Sequence, residues 1–296
     1  ACPGVEFRFR RSLVVKVAVL GTGLLGAGFV ESLLEKGHQV RVWNRTAEKL
    51  APLVEAGAVA AEDPADAVGG VERVHLVLSA DAAVDEVIAA LRPGLGEGVW
   101  VIDHSTNSPA LTAERFDDLR AQGVSYVHAP VFMSPRNARE ASGMMLLSAP
   151  RAEAELLSAP LEEMTGKLLY TGERPDLAAF HKLAGNGLII GLSGLLGDLL
   201  AMGQRCGVEQ AEVLQLLDQL QVGAAIRSFG RRVAAAGERP ASFELVMARK
   251  DVGLMVEAAG EGPLAVLPGV AAAMDRAIGE GREQQDFAVY ARRDRS

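Results

Sequence analysis

At 296 residues the chain is long enough for two ordinary domains, and its apolar (49%) and charged (23%) shares are those of a soluble globular protein rather than a disordered or fibrous one. A net charge of −8 without a dominant basic stripe argues against a nucleic-acid partner. Two cysteines, Cys2 and Cys206, exclude a disulfide framework and a cysteine metal site, and fit a reducing, cytoplasmic setting with no metal.

Residues 1–12 carry Arg8, Arg10 and Arg11 and no apolar core, so they read as a flexible, solvated leader rather than a signal peptide or binding patch. Residues 13–20 are an apolar, β-branched run, as expected of a buried parallel strand. In the segment that follows, GTGLLGAGFVESLLEKG, Leu25, Phe29 and Leu33 recur at i, i+4 and i+8, which predicts a helix with one apolar face, stopped by Gly37. A second strand follows at 39–43, then a helical stretch at 47–56, a short strand at 58–60 and a short helix at 63–68. Strands at 74–78 and 98–102 flank a helix at 82–91, and a helix near 109–122 leads to a strand at 124–127. Strands at 144–147 and 167–170 flank a helix at 151–164. Parallel neighbours need crossover connections, so this alternation predicts an α/β fold: a doubly wound parallel sheet of Rossmann type over 13–173.

Beyond residue 173 the strand pattern stops. TGERP at 171–175 supplies a boundary, and helices are expected near 176–205, 209–220, 223–236, 244–260 and 266–281. Residues 174–296 should form an all-α domain. Its first helix contains a 15-residue uncharged run, Leu183 to Gly197, short of the ~20 residues that span a bilayer. It reads as a buried helix, not a membrane segment, with Gly187, Gly191 and Gly194 on a face that another helix approaches. A domain this apolar is expected to be covered in a homodimer or homotetramer.

Gly21, Gly23 and Gly26 form a GxGxxG motif between a strand and a helix, the context of a dinucleotide-binding turn. Gly21 permits the tight turn, Gly23 admits a pyrophosphate, and Gly26 lets the helix close on the strand. The backbone N–H groups of Thr22, Leu24 and Leu25 lie beside these glycines, where a helix N-terminus meets phosphate charge. After the second strand comes Asn44–Arg45–Thr46, with no carboxylate to bind ribose hydroxyls. An arginine fork and a threonine hydroxyl there favour a 2′-phosphate, so the expected cofactor is NADP.

Five segments carry a wider pattern: VAVLGTGLLGAGFVESLLEKGHQVRVWNRT (17–46), DHSTNSP (103–109), HAPV (128–131), HKLAGN (181–186) and KDVGLM (250–255). In order and spacing they resemble the β-hydroxyacid dehydrogenase family, whose NADP-binding domain is like that of 6-phosphogluconate dehydrogenase and which includes 3-hydroxyisobutyrate dehydrogenases and semialdehyde reductases. The resemblance implies that Lys182 is the catalytic lysine and Asn186 its partner. At i and i+4 the two share a helix face and can reach one substrate oxygen. A desolvated lysine can pass a proton to or from that oxygen. The resemblance also places Thr106 near the nicotinamide ribose, Leu78–Ser79–Ala80 on the adenosine side, and Lys250 on the cofactor from the helical domain. Ser105 and Asp251 are candidate substrate contacts.

Three departures mark the substrate side. Phe132–Met133–Ser134 stands where the family has Ser-Gly-Gly, so a carboxylate nest is lost or moved to Ser134, Arg136 or Asn137. His128 replaces an acidic residue and reads as a strand-end histidine, and the glycine-rich approach to the lysine keeps only Gly172. The expected activity is NADP-dependent hydride transfer with a 3-hydroxy acid, semialdehyde or 2-oxoacid. An imine reductase acting on apolar cyclic imines and a non-catalytic NADP-binding module are the alternatives.

Overall fold

The structure is a computed structural model that describes residues 14–238 and 240–292; the expected leader lies outside the described residues. The chain divides into two compact units, the first ending at Gly185 and the second beginning at Asn186. That division falls inside a long helix, whereas the sequence boundary at 172–175 marks where the helix begins.

The first unit runs β1 (Lys16–Leu20), α1 (Leu24–Glu35), β2 (Gln39–Trp43), α2 (Ala51–Glu55), β3 (Val59–Ala60), α3 (Pro64–Ala67), β4 (Arg73–Leu76) and α4 (Asp81–Leu91). It continues with β5 (Trp100–Asp103), α5 (Pro109–Ala121), β6 (Ser125–His128), β7 (Val131–Phe132), α6 (Pro135–Arg139), β8 (Met144–Ser148), α7 (Arg151–Glu162) and β9 (Lys167–Gly172). Spatial order is β3-β2-β1-β4-β5-β6-β8-β7, with β9 beside β8. Strands β1 to β6 are mutually parallel, as are β8 and β9. The expected all-parallel sheet needs correction: β8 pairs antiparallel with both β6 and β7. Between β7 and β8 lies only the five-residue α6, too short to carry the chain back over the sheet.

Both faces of the sheet are covered. Val17 and Val19 of β1 pack with Phe29, Val30 and Leu33 of α1 on one face, while Ala18 and Leu20 pack with Val84, Ile88 and Leu91 on the other. The period-two alternation of an otherwise continuous apolar strand sorts these residues. Each buried valine, leucine, isoleucine or phenylalanine among them stabilises the unit by about 1.5–3 kcal/mol.

Through the first face runs a chain of buried polar groups that the sequence did not suggest. His104 Nδ1 lies 2.7 Å from the Ala129 carbonyl, which can only accept, so Nδ1 carries the proton and Nε2 accepts. His75 Nδ1, 2.9 Å away, therefore donates to that Nε2. Its own Nε2 accepts from Arg73 Nε at 3.3 Å. Arg73 also pairs with Glu163, whose second oxygen lies 3.3 Å from His38 Nε2. His38 Nδ1 accepts from the Val15 amide, which leaves Nε2 as donor. Every tautomer in the chain is thus fixed by its neighbours.

The second unit holds the rest of α8 (Leu177–Arg205), then α9 (Gln210–Gln219), α10 (Val222–Ala234), α11 (Leu245–Ala259) and α12 (Leu267–Gly279). Its core gathers Leu245, Ala248, Val252, Met274, Ala277 and Val289. Asp198 on α8 anchors the start of α12, accepting from the amides of Ala265, Val266 and Leu267 at 2.6, 2.8 and 2.8 Å. The expectation of a buried α8 is corrected. Leu188 and Ile189 are exposed, and Ile190 keeps 70% of its surface. Of the three glycines expected to admit a helix, Gly194 alone faces close neighbours, Val266 and Ala265; Gly187 and Gly191 face open space. By length and composition α8 is the one helix among the described residues that could cross a membrane, a test that core helices of soluble proteins also pass.

Two outcomes follow. Burial holds His75 well below the ordinary histidine pKa and His104 at about 4. In the unfolded chain both titrate near 6.5. As pH falls through the window between 6.5 and about 4, the unfolded chain takes up protons that the folded chain refuses. Stability should therefore be full above pH 6.5 and decline below it, by up to about 1.4 kcal/mol per pH unit for each imidazole. Urea unfolding midpoints across pH 4.5–7.5 measure this; a flat profile contradicts it. Separately, Asp198→Ala strands three amides, one of them buried, and should cost about 3 kcal/mol in chemical unfolding, against less than about 0.5 for an exposed control such as Glu257→Ala.

Candidate active site

The site begins at the carboxyl end of β1. Gly21 has φ of +95°, and a Cβ there would overlap the Val77 carbonyl oxygen and lie 2.9 Å from Leu78 Cδ2. At Gly26 a Cβ would overlap the Gly21 carbonyl oxygen. Both positions accept only glycine, because α1 starts in contact with the turn that feeds it. At Gly23, by contrast, a Cβ would meet nothing within 4 Å, so the backbone is open to a ligand. Gly23 is the N-cap of α1, which has neither a side-chain cap nor an acidic residue in its first turn. Its amides are left for an anion. The Thr22 hydroxyl is buried and has no hydrogen-bond partner among the described residues. A buried hydroxyl of this kind is costly unless something binds it, and a dinucleotide phosphate would. Leu24 is 80% exposed and Leu25 packs on the core, so both can reach a phosphate only through their backbone.

Asn44 turns out to be a brace between turns. Its Oδ1 accepts from the Thr22 amide at 3.0 Å and its Nδ2 donates to the Thr46 carbonyl at 2.9 Å. This ties the end of β2 to the glycine turn and leaves Arg45 and Thr46 exposed beside it. Arg45 forms no ion pair with any described residue.

The carboxyl ends of β4 and β5 are braced similarly. Ser105, expected to meet substrate, is buried; its Oγ accepts from the Leu78 amide at 2.9 Å and its own amide donates to Asp103 at 2.9 Å. Asp103 also accepts from Asn107 Nδ2 at 2.6 Å and Tyr126 Oη at 2.9 Å. Burial, with Asp103 adding to it, pushes the Tyr126 phenol well above its usual pKa, so it stays a donor. Sequence reasoning misses Asp103 and Tyr126; the available signal is an aspartate closing an otherwise apolar strand. His128, as expected of a strand-end residue, is buried and donates from Nε2 to the Ser105 carbonyl at 2.9 Å. Ser79, Ala80 and Thr106 are exposed on the loops this frame holds.

Lys182 and Asn186 lie one turn apart on α8. Burial lowers the Lys182 pKa from its ordinary value. The ammonium stands 4.2 Å from the centre of the Phe132 ring. Met133 packs on the core of the first unit. Ser134 and Asn137 do not offer a displaced carboxylate nest: they cap α6 reciprocally, and Arg136 pairs with Glu140 at 2.7 Å. Lys250, exposed, and Asp251, partly buried, lie in the second unit on α11, paired at 3.1 Å. Among the described residues no group of three or more His, Cys, Asp or Glu side chains could hold a metal ion.

The comparisons agree with this geometry. The sequence profile of the NAD binding domain of 6-phosphogluconate dehydrogenase matches residues 16–172. YfjR, an uncharacterized oxidoreductase of Bacillus subtilis, is 28% identical over 83% of this chain and 87% of its own length. The 3-sulfolactaldehyde reductase of Escherichia coli is 27% identical over 92% of this chain and 93% of its own. Among solved structures, the imine reductase of Myxococcus stipitatus in complex with NADP+ superposes with a TM-score of 0.82 at 20% identity, covering 93% of this chain and 98% of that one, a likeness of fold. With the bare helix N-terminus, the glycine turn and the profile match in agreement, the chain belongs to the β-hydroxyacid dehydrogenase family, NAD(P)-dependent oxidoreductases built on the NAD-binding domain of 6-phosphogluconate dehydrogenase.

Proposed function

We propose that the chain uses NADP(H) to interconvert a small carbonyl compound and its alcohol, within the range of 3-hydroxy acids, semialdehydes and 2-oxoacids, with Lys182 as general acid and base. The observation that carries the reading is a half-buried lysine, its pKa lowered by burial, one helical turn before Asn186. When bound, the nicotinamide supplies the hydride. Lys182 gives its proton to the carbonyl oxygen as that oxygen becomes an alkoxide, and takes it back in the oxidation direction. The ammonium also stabilises the negative charge before the proton moves. Asn186, with a donor and an acceptor on one amide, orients the oxygen or the lysine. Thr106 and Lys250 are assigned to the cofactor.

Preference for NADP rests on the end of β2, where Arg45 and Thr46 are exposed and no carboxylate would repel a 2′-phosphate. The apolar face of α8 supports a homodimer, or a tetramer, in which a second copy covers it. An exposed Cys206 thiol fits a reducing, cytoplasmic compartment. A second reading, reduction of an apolar imine, is favoured by one observation, the Phe132 ring beside Lys182.

Two measurements test the proposal. In titrations, Arg45→Ala should raise the NADPH Kd by about tenfold to a hundredfold, the loss of one charge-assisted phosphate contact, while changing NADH little. Equal loss for both cofactors removes the basis for NADP. With a semialdehyde as substrate, Lys182→Ala should lower kcat by about 10²–10⁴ with NADPH binding intact. Full activity in that variant rejects the lysine mechanism, and activity confined to cyclic imines selects the second reading.

A further inference from the structure

Phe132 ends β7, paired opposite Met144 of β8. Its ring does not stop at the sheet. A Cβ on Gly185 would overlap the tip of the ring and sit 2.7 Å from Cε1, so the ring lies directly against the α8 backbone. One turn earlier on the same helix, Lys182 places its ammonium 4.2 Å from the ring centre. The ring is therefore held between a fixed strand end and a helix notch that only glycine leaves open. The ammonium rests at the electron-rich π face.

The polar side chains that follow this ring in sequence bond within their own segment. Ser134 donates to Asn137 Oδ1 from both its amide and its hydroxyl, at 2.9 and 2.7 Å. The Asn137 amide nitrogen of the side chain donates to Ser142 Oγ at 3.0 Å. Arg136 is paired with Glu140 at 2.7 Å. Next to Lys182 the segment thus presents an aromatic ring rather than a hydrogen-bond donor. The ring offers a carboxylate no hydrogen bond to repay its lost hydration.

We propose that Phe132 is a positioning and specificity residue: seated on Gly185, its ring holds the Lys182 ammonium in place and turns away substrates that carry a carboxylate on the reacting carbon. The inference rests on Lys182 being the acid and base of the reaction. It narrows the substrate class to aldehydes and ketones whose reacting carbon bears an uncharged substituent, a distant acid group being tolerated, and sets 2-oxoacids aside.

The test pairs two compounds of similar size, 2,3-butanedione and pyruvate, with NADPH and the full chain. Wild type should prefer the uncharged diketone by about tenfold or more in kcat/KM, the scale of one lost cation–π-sized interaction. Phe132→Ser should bring the two within about threefold, mainly by lowering the KM for pyruvate. Gly185→Ala pushes the ring aside while leaving its chemistry in place, so it should lower kcat for both compounds with KM little changed. The double variant Gly185→Ala/Phe132→Ala, in which the methyl has room, should recover part of that kcat. NADPH titration of each variant separates these effects from misfolding. Equal preference or no turnover of either compound in wild type, an unmoved ratio in Phe132→Ser, or an unchanged kcat in Gly185→Ala overturns the proposal. Full activity of Lys182→Ala in the same assay would instead reject the underlying mechanism.

Discussion

The first unit depends on how closely α1 approaches the turn that precedes it. No side chain fits at Gly26 because the Gly21 carbonyl occupies the space, and none fits at Gly21 because Val77 does. That contact lets Phe29, Val30 and Leu33 reach the sheet, and so closes the core of one face. It also leaves the first amides of α1 without a side-chain cap among the described residues, at the carboxyl edge where the neighbouring loops converge. The packing that completes the core and the uncapped donors that suit a phosphate therefore have one cause. A larger residue in the turn would harm both together.

Around this turn the structure uses side chains as ties between loops. Asn44 joins the end of β2 to Thr22, and Ser105 joins the end of β5 to Leu78. Asp103 collects three donors beneath them. None of these ties needs a ligand, so the loops that carry Arg45, Ser79 and Thr106 are set before any cofactor arrives. Preorganisation of this kind removes part of the ordering cost that binding would otherwise meet.

Much of this is legible in the sequence. The strand and helix order can be read because apolar periodicity is strong in buried parallel strands, and the expected second strand matches β2 to the residue. The antiparallel strand β7 is not legible, since two residues give no periodicity and its segment reads as a motif loop. The glycine turn is legible because its steric demand leaves a fixed spacing. The roles of Asn44 and Ser105 are not: a polar residue in a cofactor loop looks alike whether it binds ligand or backbone, and only a partner distant in sequence tells the two apart. The uncharged run of α8 reads as core from its composition, yet the second unit leaves most of it bare. Composition registers that the run is apolar, not where the fold leaves it exposed.

The buried chain from Val15 through His38, Glu163, Arg73, His75 and His104 to Ala129 has a fixed sense of donation at every link. Both ends are backbone groups, which a change of side chain other than to proline at position 15 leaves in place. The residue at position 75 must accept from one side and donate to the other, which glutamine could imitate and leucine could not. A side chain without a donor at position 73 would likewise remove one donor from Glu163 and one from His75. Single replacements along this path are therefore penalised even where each new residue would pack well. As related sequences diverge, positions 38, 73, 75, 104 and 163 should be inherited or exchanged as a set, a covariation written by hydrogen-bond direction and not by shape.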